Sequence, residues 1–163
     1  MSTDLTPEQR IQQAYNAAVR LLGSRDHSVF ELKRKLVKRE HDDDAIQGAL
    51  DELLALNYVN DRRYASLYTE QRLERGYGPL SVRSKLRERG IDSCLVEAAL
   101  AEQTVSWAEL AQLALEKKFG PDVIASYEAR NESRISRFLA SRGFSGSDAL
   151  KALQAARKDI RAS

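Results

Sequence analysis

The feature that most constrains this chain is a set of apolar residues that recurs three times. Leu32, Leu36, Ile46, Ala49 and Leu50 are followed 50 residues later by Val82, Leu86, Val96, Ala99 and Leu100. A further 53 residues on stand Ile135, Leu139, Ala149, Ala152 and Leu153. In the first copy Ile46, Ala49, Leu50 and Leu53 fall at i, i+3, i+4 and i+7, the spacing of a helical core stripe. A unit of this length buries too little surface to hold a large core alone. Its neighbours must stack on it, and a stacked array offers a long binding surface. The 163 residues are therefore expected to form three tandem three-helix units in an elongated, curved array. Their approximate bounds are 7–57, 58–104 and 105–160.

Polar and turn columns agree with the apolar ones. Arg39, Arg89 and Arg142 coincide, as do Gly90 with Gly143 and Ile91 with Phe144. Arg75-Gly76-Tyr77-Gly78-Pro79 resembles Lys117-Lys118-Phe119-Gly120-Pro121 at a shift of 42. Because that shift is 42 and the later one is 53, the third unit carries 11 extra residues, around Val123 to Ser133.

The whole chain is expected to be helical. The three prolines, Pro7, Pro79 and Pro121, each sit where a helix can begin. No segment alternates apolar and polar residues with period two. Thr6, Ser28 and Ser106 open capping boxes, and Asp44, Asp61, Asp92 and Ser145 or Ser147 are further caps. Gly23, Gly76, Gly90 and Gly143 are placed to end helices in a left-handed conformation. Nine helices follow, at roughly 7–22, 29–39, 45–56, 61–75, 79–89, 93–103, 106–118, 130–142 and 147–160.

Composition excludes several classes. Hydrophobic residues are 42% and charged residues 31%, too apolar for intrinsic disorder and too charged for a membrane protein. There is no apolar run of the roughly 20 residues a spanning helix needs, and no signal peptide, so a cytoplasmic location is expected. The only cysteine, Cys94, excludes a disulfide framework. It lies beside core positions and is expected to be partly buried and inert. The charge sums to −2 over 1–56, +1 over 57–103 and +3 over 104–163. That gradient is too mild for a dedicated nucleic-acid binder. It leaves room for weak nucleic-acid contact or a charged protein partner.

The residues offer little chemistry. His27 precedes a capping serine and lacks the placed acid of a catalytic triad. His41-Asp42-Asp43-Asp44 could suggest a metal site, but acids before a helix cap it and complement its dipole. Gly76-Tyr77-Gly78-Pro79 has no third glycine and no following Lys-Ser/Thr, so it is a turn rather than a phosphate loop. Trp107 and the pair Tyr64 and Tyr68 are expected to pack, with an aromatic contact face as the alternative for the tyrosines. No enzyme, cofactor or metal is expected.

The arginines divide by direction. With Val82 at 0° and about 100° per residue, Leu86 lies near 40°, Arg89 near 340°, Arg83 near 100° and Arg87 near 140°. Arg89, like Arg39 and Arg142, borders the stripe and should tie a helix end to the next unit. Arg83 and Arg87 point away. Their counterparts in the third unit are Ser136 and Ala140, so they are partner candidates.

Several blocks resemble the RecX family. Leu21-Leu22, Arg25, His27-Ser28, Glu31-Leu32 and Leu36 resemble its opening motif. Asn57-Tyr58-Val59-Asn60-Asp61-Arg62-Arg63-Tyr64-Ala65 resembles its most recognisable block. Arg72, Gly76, Gly78-Pro79, Leu86 and Arg89-Gly90-Ile91 follow in the family's order, and Phe138-Leu139 with Arg142-Gly143-Phe144-Ser145 match its C-terminal block. The resemblance implies a negative regulator of the recombinase RecA. Such a protein lodges in the groove of the RecA filament on single-stranded DNA. There it impedes extension and suppresses ATP hydrolysis, strand exchange and repressor cleavage. A monomer bridging neighbouring protomers is expected, with weak direct DNA contact and no membrane. Charge present in the middle unit alone makes Arg72, Arg75, Arg83 and Arg87 the candidate partner site. The alternatives are a stand-alone helical-repeat nucleic-acid-binding protein and a small hydrolase using His27.

Overall fold

A computed structural model describes residues 4–163. Among the described residues there are ten helices and no strand. They are α1 (Pro7–Ser24), α2 (Val29–Lys38), α3 (Asp43–Ala55), α4 (Asp61–Glu74), α5 (Pro79–Glu88), α6 (Ser93–Ala101), α7 (Trp107–Lys118), α8 (Pro121–Ala125), α9 (Ala129–Ser141) and α10 (Gly146–Ala162). All three prolines start helices: α1, α5 and α8. The chain divides into two compact units. One is Met1–Ala65 with Leu86–Leu95, and the other is Ser66–Lys85 with Val96–Ser163.

In the first unit α1 packs on α2 and α3. Leu32, Leu36, Ile46, Leu50, Leu53 and Val59 form its centre with Ala18. Ala14, Ala45 and Ala49 meet beside them, where α1 and α3 touch. The second unit closes α7, α8, α9 and α10 around Leu115, Ile124, Ile135, Leu139, Phe144 and Leu153. Of the fifteen residues in the five recurring columns, fourteen are buried, and Ala149 is half-buried.

Caps fix most helix starts. Thr6 and Gln9 complete a reciprocal capping box on α1. Ser28, Ser106 and Ser145 accept from the third helical N–H of α2, α7 and α10. Two expected caps shift. Asp42, not Asp44, caps α3 by accepting from the Ala45 N–H at 2.8 Å. Asn60, not Asp61, accepts from the Arg63 N–H at 2.9 Å. Asp61 instead accepts from the Val29 N–H at 2.9 Å, at the start of α2. Gly23 is not a terminator: α1 continues to Ser24 and ends on extended Arg25.

One helix ending occurs five times among the described residues: the N–H groups of Tyr58 and Tyr77 reach back to the carbonyls of Leu53 and Arg72 across left-handed Asn57 (φ 59°) and Gly76 (φ 83°), and three more copies fall in the repeated columns. The N–H groups of His41, Ile91 and Phe144 reach back to the carbonyls of Leu36, Leu86 and Leu139. Between each pair lies a left-handed residue: Glu40 (φ 65°), Gly90 (φ 73°) or Gly143 (φ 91°). This is a Schellman termination, and in these three copies its donor and acceptor both sit in the repeated columns.

The additional residues of the last repeat also take a defined form. They begin within α8 (Pro121–Ala125), which is absent from the nine expected helices, and Arg157 of α10 holds the segment in place. Its guanidinium donates to the carbonyls of Ile124 (2.9 Å) and Ser126 (2.6 Å) and to Glu132 (3.0 Å). It also lies 4.0 Å from the Tyr127 ring centroid. The Arg157 side chain is only 10% exposed, so its loss would strand carbonyl groups. Arg157→Ala should destabilise by about 1.5–3 kcal/mol, read from urea unfolding. A change below about 0.5 kcal/mol would show that the segment stands without it.

Candidate functional site

The repeated arginine column is structural. Arg89 donates to the Tyr64 hydroxyl oxygen, while Tyr64 donates to Glu31 at 3.0 Å. Burial pushes the Tyr64 pKa up, which keeps the hydroxyl protonated for that donation. Ser28 Oγ donates to the Arg89 carbonyl at 2.6 Å. Arg142 stacks on Tyr77 and Phe138, with 4.7 and 5.2 Å to the ring centroids, and donates to the Arg75 carbonyl at 3.3 Å. Both arginines therefore tie a helix end to residues of the preceding repeat, not the next one as expected. The reason is the Schellman turn, which brings the end of α5 onto the start of α2 and the end of α9 onto the start of α5. At that second junction the N–H groups of Gly78 and Leu80 reach the carbonyls of Arg142 (2.6 Å) and Gly143 (3.0 Å). Arg39 is exposed.

The four candidate partner residues separate into two settings. Arg83 and Arg87 lie one turn apart on α5. Arg87 is exposed. Arg83 makes a bidentate pair with Glu97, at 2.7 and 3.2 Å. Its charge is thus already compensated by α6. Arg72 stacks closely on Tyr77, 3.6 Å from the ring centroid. Arg75 is exposed just after α4.

Arg75 also belongs to a group that sequence reasoning missed. With Lys117, Lys118 and Arg142 it lines a cleft of about 250 Å³, floored by Gly76, Ala114 and Phe138. The similarity between Arg75-Gly76 and Lys117-Lys118 was the available signal. A second basic surface lies on α2, where Lys33, Arg34 and Lys38 flank exposed Phe30 and Val37.

Two RecX family models match the chain. The one describing the first three-helix domain covers residues 14–53, and the one describing the second covers 60–100. The "Regulatory protein RecX" of Vibrio parahaemolyticus serotype O3:K6 is 36% identical over 129 residues, 79% of this chain and 82% of that protein. The chain belongs to the RecX family. The protein of the same name from Halorhodospira halophila is 33% identical over 144 residues, covering 88% of each chain. The crystal structure of RecX from Lactobacillus salivarius superposes with a TM-score of 0.78, covering 94% of this chain and 98% of that one, at 22% identity. That likeness shows a shared fold.

The segment matched as the first RecX domain contains a buried histidine. His27 Nδ1–H donates to the Arg25 carbonyl (2.9 Å), and Nε2 accepts from Lys35 Nζ (2.8 Å). This network fits only the neutral ring. Burial lowers the His27 pKa, and the charges of Arg25 and Lys35 add to the effect. A folded-state pKa below the ordinary 6.5 means the unfolded chain takes the proton first. The stabilisation is present above about pH 6.5 and is lost as pH falls through the folded-state value. Urea unfolding from about pH 7 to pH 5 should show stability declining more steeply in the parent than in His27→Gln. Parallel curves would sink this account. The serine beside it is committed to the helix cap and the Arg89 carbonyl.

The other singled-out residues have structural settings. Cys94 is exposed rather than partly buried, because it occupies the solvent side of the first turn of α6. Among the described residues, no three His, Cys, Asp or Glu side chains gather as a metal site would require. Asp42 is occupied as a cap and as the partner of Arg10 at 3.2 Å. No described helix is long and apolar enough to cross a membrane.

Proposed function

We propose that this protein is a cytoplasmic, non-enzymatic negative regulator of RecA. In this reading it lodges in the groove of the RecA filament on single-stranded DNA. It impedes extension there and lowers ATP hydrolysis, strand exchange and repressor cleavage. Its three tandem units, about 7–57, 58–104 and 105–160, act as one monomeric array. The observation that carries the reading is RecX identity extending over most of the chain, with both three-helix domains in order. Several modest patches held on one chain can engage adjacent protomers, which raises effective concentration without any new chemistry.

Arg72, Arg75, Arg83 and Arg87 are the proposed partner contacts. The pair Arg83–Glu97 changes how they are best tested. Arg83→Glu would set two carboxylates face to face, so Arg83→Gln with Arg87→Glu is the cleaner variant. It should raise the concentration needed for half-inhibition of RecA ATP hydrolysis by roughly tenfold at low salt, where steering is strongest. Thermal melting must first show a native fold. If the parent leaves ATP hydrolysis on single-stranded DNA unchanged, the regulatory reading is wrong. If the parent inhibits and the variant inhibits equally well, Arg83 and Arg87 are not among the contacts.

A further inference from the structure

We propose that the solvent face of α2 docks an acidic, helix-forming segment of a protein partner. The inference stands apart from the recombinase reading, because the arginines proposed for that contact all lie outside α2.

The face follows from helical spacing. Phe30, Lys33, Arg34, Val37 and Lys38 fall at i, i+3, i+4, i+7 and i+8. They share one side of α2, while Leu32 and Leu36 fill the core on the other. All five are exposed, and together they line a shallow hollow of about 480 Å³. Folding does not require this pattern. The positions of Phe30 and Val37 hold Leu80 and Arg87 in the second repeat, and Ser133 and Ala140 in the third. The first repeat thus keeps two large apolar residues, 42% and 51% exposed, where the third keeps small ones.

Charge decides what covers this face. No carboxylate lines the hollow. Glu31, the only acid of α2, is already engaged by Arg25 at 2.8 Å and by the Tyr64 hydroxyl at 3.0 Å. Lys33, Arg34 and Lys38 have no ion-pair partner among the described residues. The C-terminal dipole of α2 offsets only about half a charge, which leaves about 2.5 of the three positive charges for an external acid.

The apolar part is prepared as an anchor. The Gly90 backbone packs so closely that a Cβ there would lie 2.4 Å from the Phe30 Cβ and Cγ. The root of the ring is therefore fixed before any partner arrives, and the Arg34 guanidinium lies 5.6 Å from the ring centroid. A pre-organised aromatic anchor lowers the entropy lost on docking. Val37 stands two turns further on, roughly 10 Å along the axis. An amphipathic helix laid along α2 reaches both residues with its apolar stripe and sets carboxylates beside the three cations. A phosphate backbone gains nothing from exposed Val37. Two apolar residues are too few to seat α2 in a membrane surface.

The test uses the full chain without recombinase. Fluorescence anisotropy follows a labelled synthetic peptide with leucines at i, i+4, i+7 and i+11 and glutamates between them. A scrambled isomer of equal charge is the second probe. At low salt the parent should bind the ordered peptide at least about tenfold more tightly than the isomer. Lys33→Glu/Lys38→Glu should weaken binding at least about tenfold. Val37→Gln changes no charge and keeps helix propensity, yet should weaken binding about fivefold. Leu54→Gln on α3 replaces an apolar residue of similar exposure, 44%, and should leave binding unchanged. Thermal melting must first show a native fold for each variant. Dependence on both the lysines and Val37 supports the proposal. No binding of the ordered peptide overturns it, as does equal affinity for the isomer or an equal loss in Leu54→Gln. If charge reversal abolishes binding while Val37→Gln binds like the parent, the face is a charge-only site for polyanions such as nucleic acid, and the proposal fails.

Discussion

Leu86→Ala is expected to destabilise the protein by about 2–5 kcal/mol. Leu86 is 0% exposed, and its carbonyl accepts the Ile91 N–H that closes α5. The backbone around it is thus pinned by the Schellman turn and cannot easily collapse into the space left by the lost side chain. The transfer and cavity contributions should both appear. Leu100→Ala on α6 removes a side chain that is 5% exposed and should fall in the same range. Leu113→Ala and Leu150→Ala are the controls, at 62% and 57% exposed, and should change stability by about 0.5 kcal/mol or less. Urea unfolding measures all four. Losses under about 1 kcal/mol at both Leu86 and Leu100 would mean that the recurring apolar columns do not mark the core.

Those columns explain why the fold was legible. Leu32, Val82 and Ile135 recur because each repeat needs the same inward position, and such demands survive as plain apolar identity. Helix starts were legible where proline or a capping serine makes its contact within three residues. They shifted where contacts run further. Asp61 was read as a local cap but reaches Val29, 32 residues away. Helix α8 escaped notice because five residues are too few to establish a period. Arg157 lies far from the carbonyls it satisfies, so nothing nearby in the sequence announced its role.

The interaction surfaces were less legible, for an electrostatic reason. Charge was summed over long segments, and a sum conceals where charges face. Lys33, Arg34, Lys35, Lys38 and Arg39 place five cations in seven residues, inside a segment whose total is −2. Arg83 looked free because Glu97 lies 14 residues away. Arg75 and Arg142 are 67 residues apart, yet Arg142 donates to the Arg75 carbonyl. Their cleft exists only once α4, α7 and α9 have ended side by side. The cleft also draws on two repeats, whereas the expected partner site lies within one.

Gly143→Ala tests the junction on which these surfaces depend. Gly143 has a φ of 91°, and a Cβ there would lie 2.4 Å from the Ser81 backbone nitrogen and 2.5 Å from the Ser81 Cβ. A left-handed non-glycine residue costs about 1–3 kcal/mol, and overpacking adds about 1–3 kcal/mol. A total loss of about 2–6 kcal/mol is expected. Gly90→Ala should behave alike, because its φ is 73° and a Cβ would lie 2.4 Å from the Phe30 Cβ. Glu40 separates the two causes. It holds the same left-handed turn, with φ 65°, but is exposed. Glu40→Gly relieves conformational strain while enlarging the freedom of the unfolded chain, so the net change should stay within about 1 kcal/mol. The repeated turn would then be a shared backbone requirement, with glycine demanded only where a neighbouring helix start packs against it. Differential scanning calorimetry on the three variants decides the matter. If Gly143→Ala and Gly90→Ala melt within a degree or two of Glu40→Gly, close packing at the junctions is not what selects glycine.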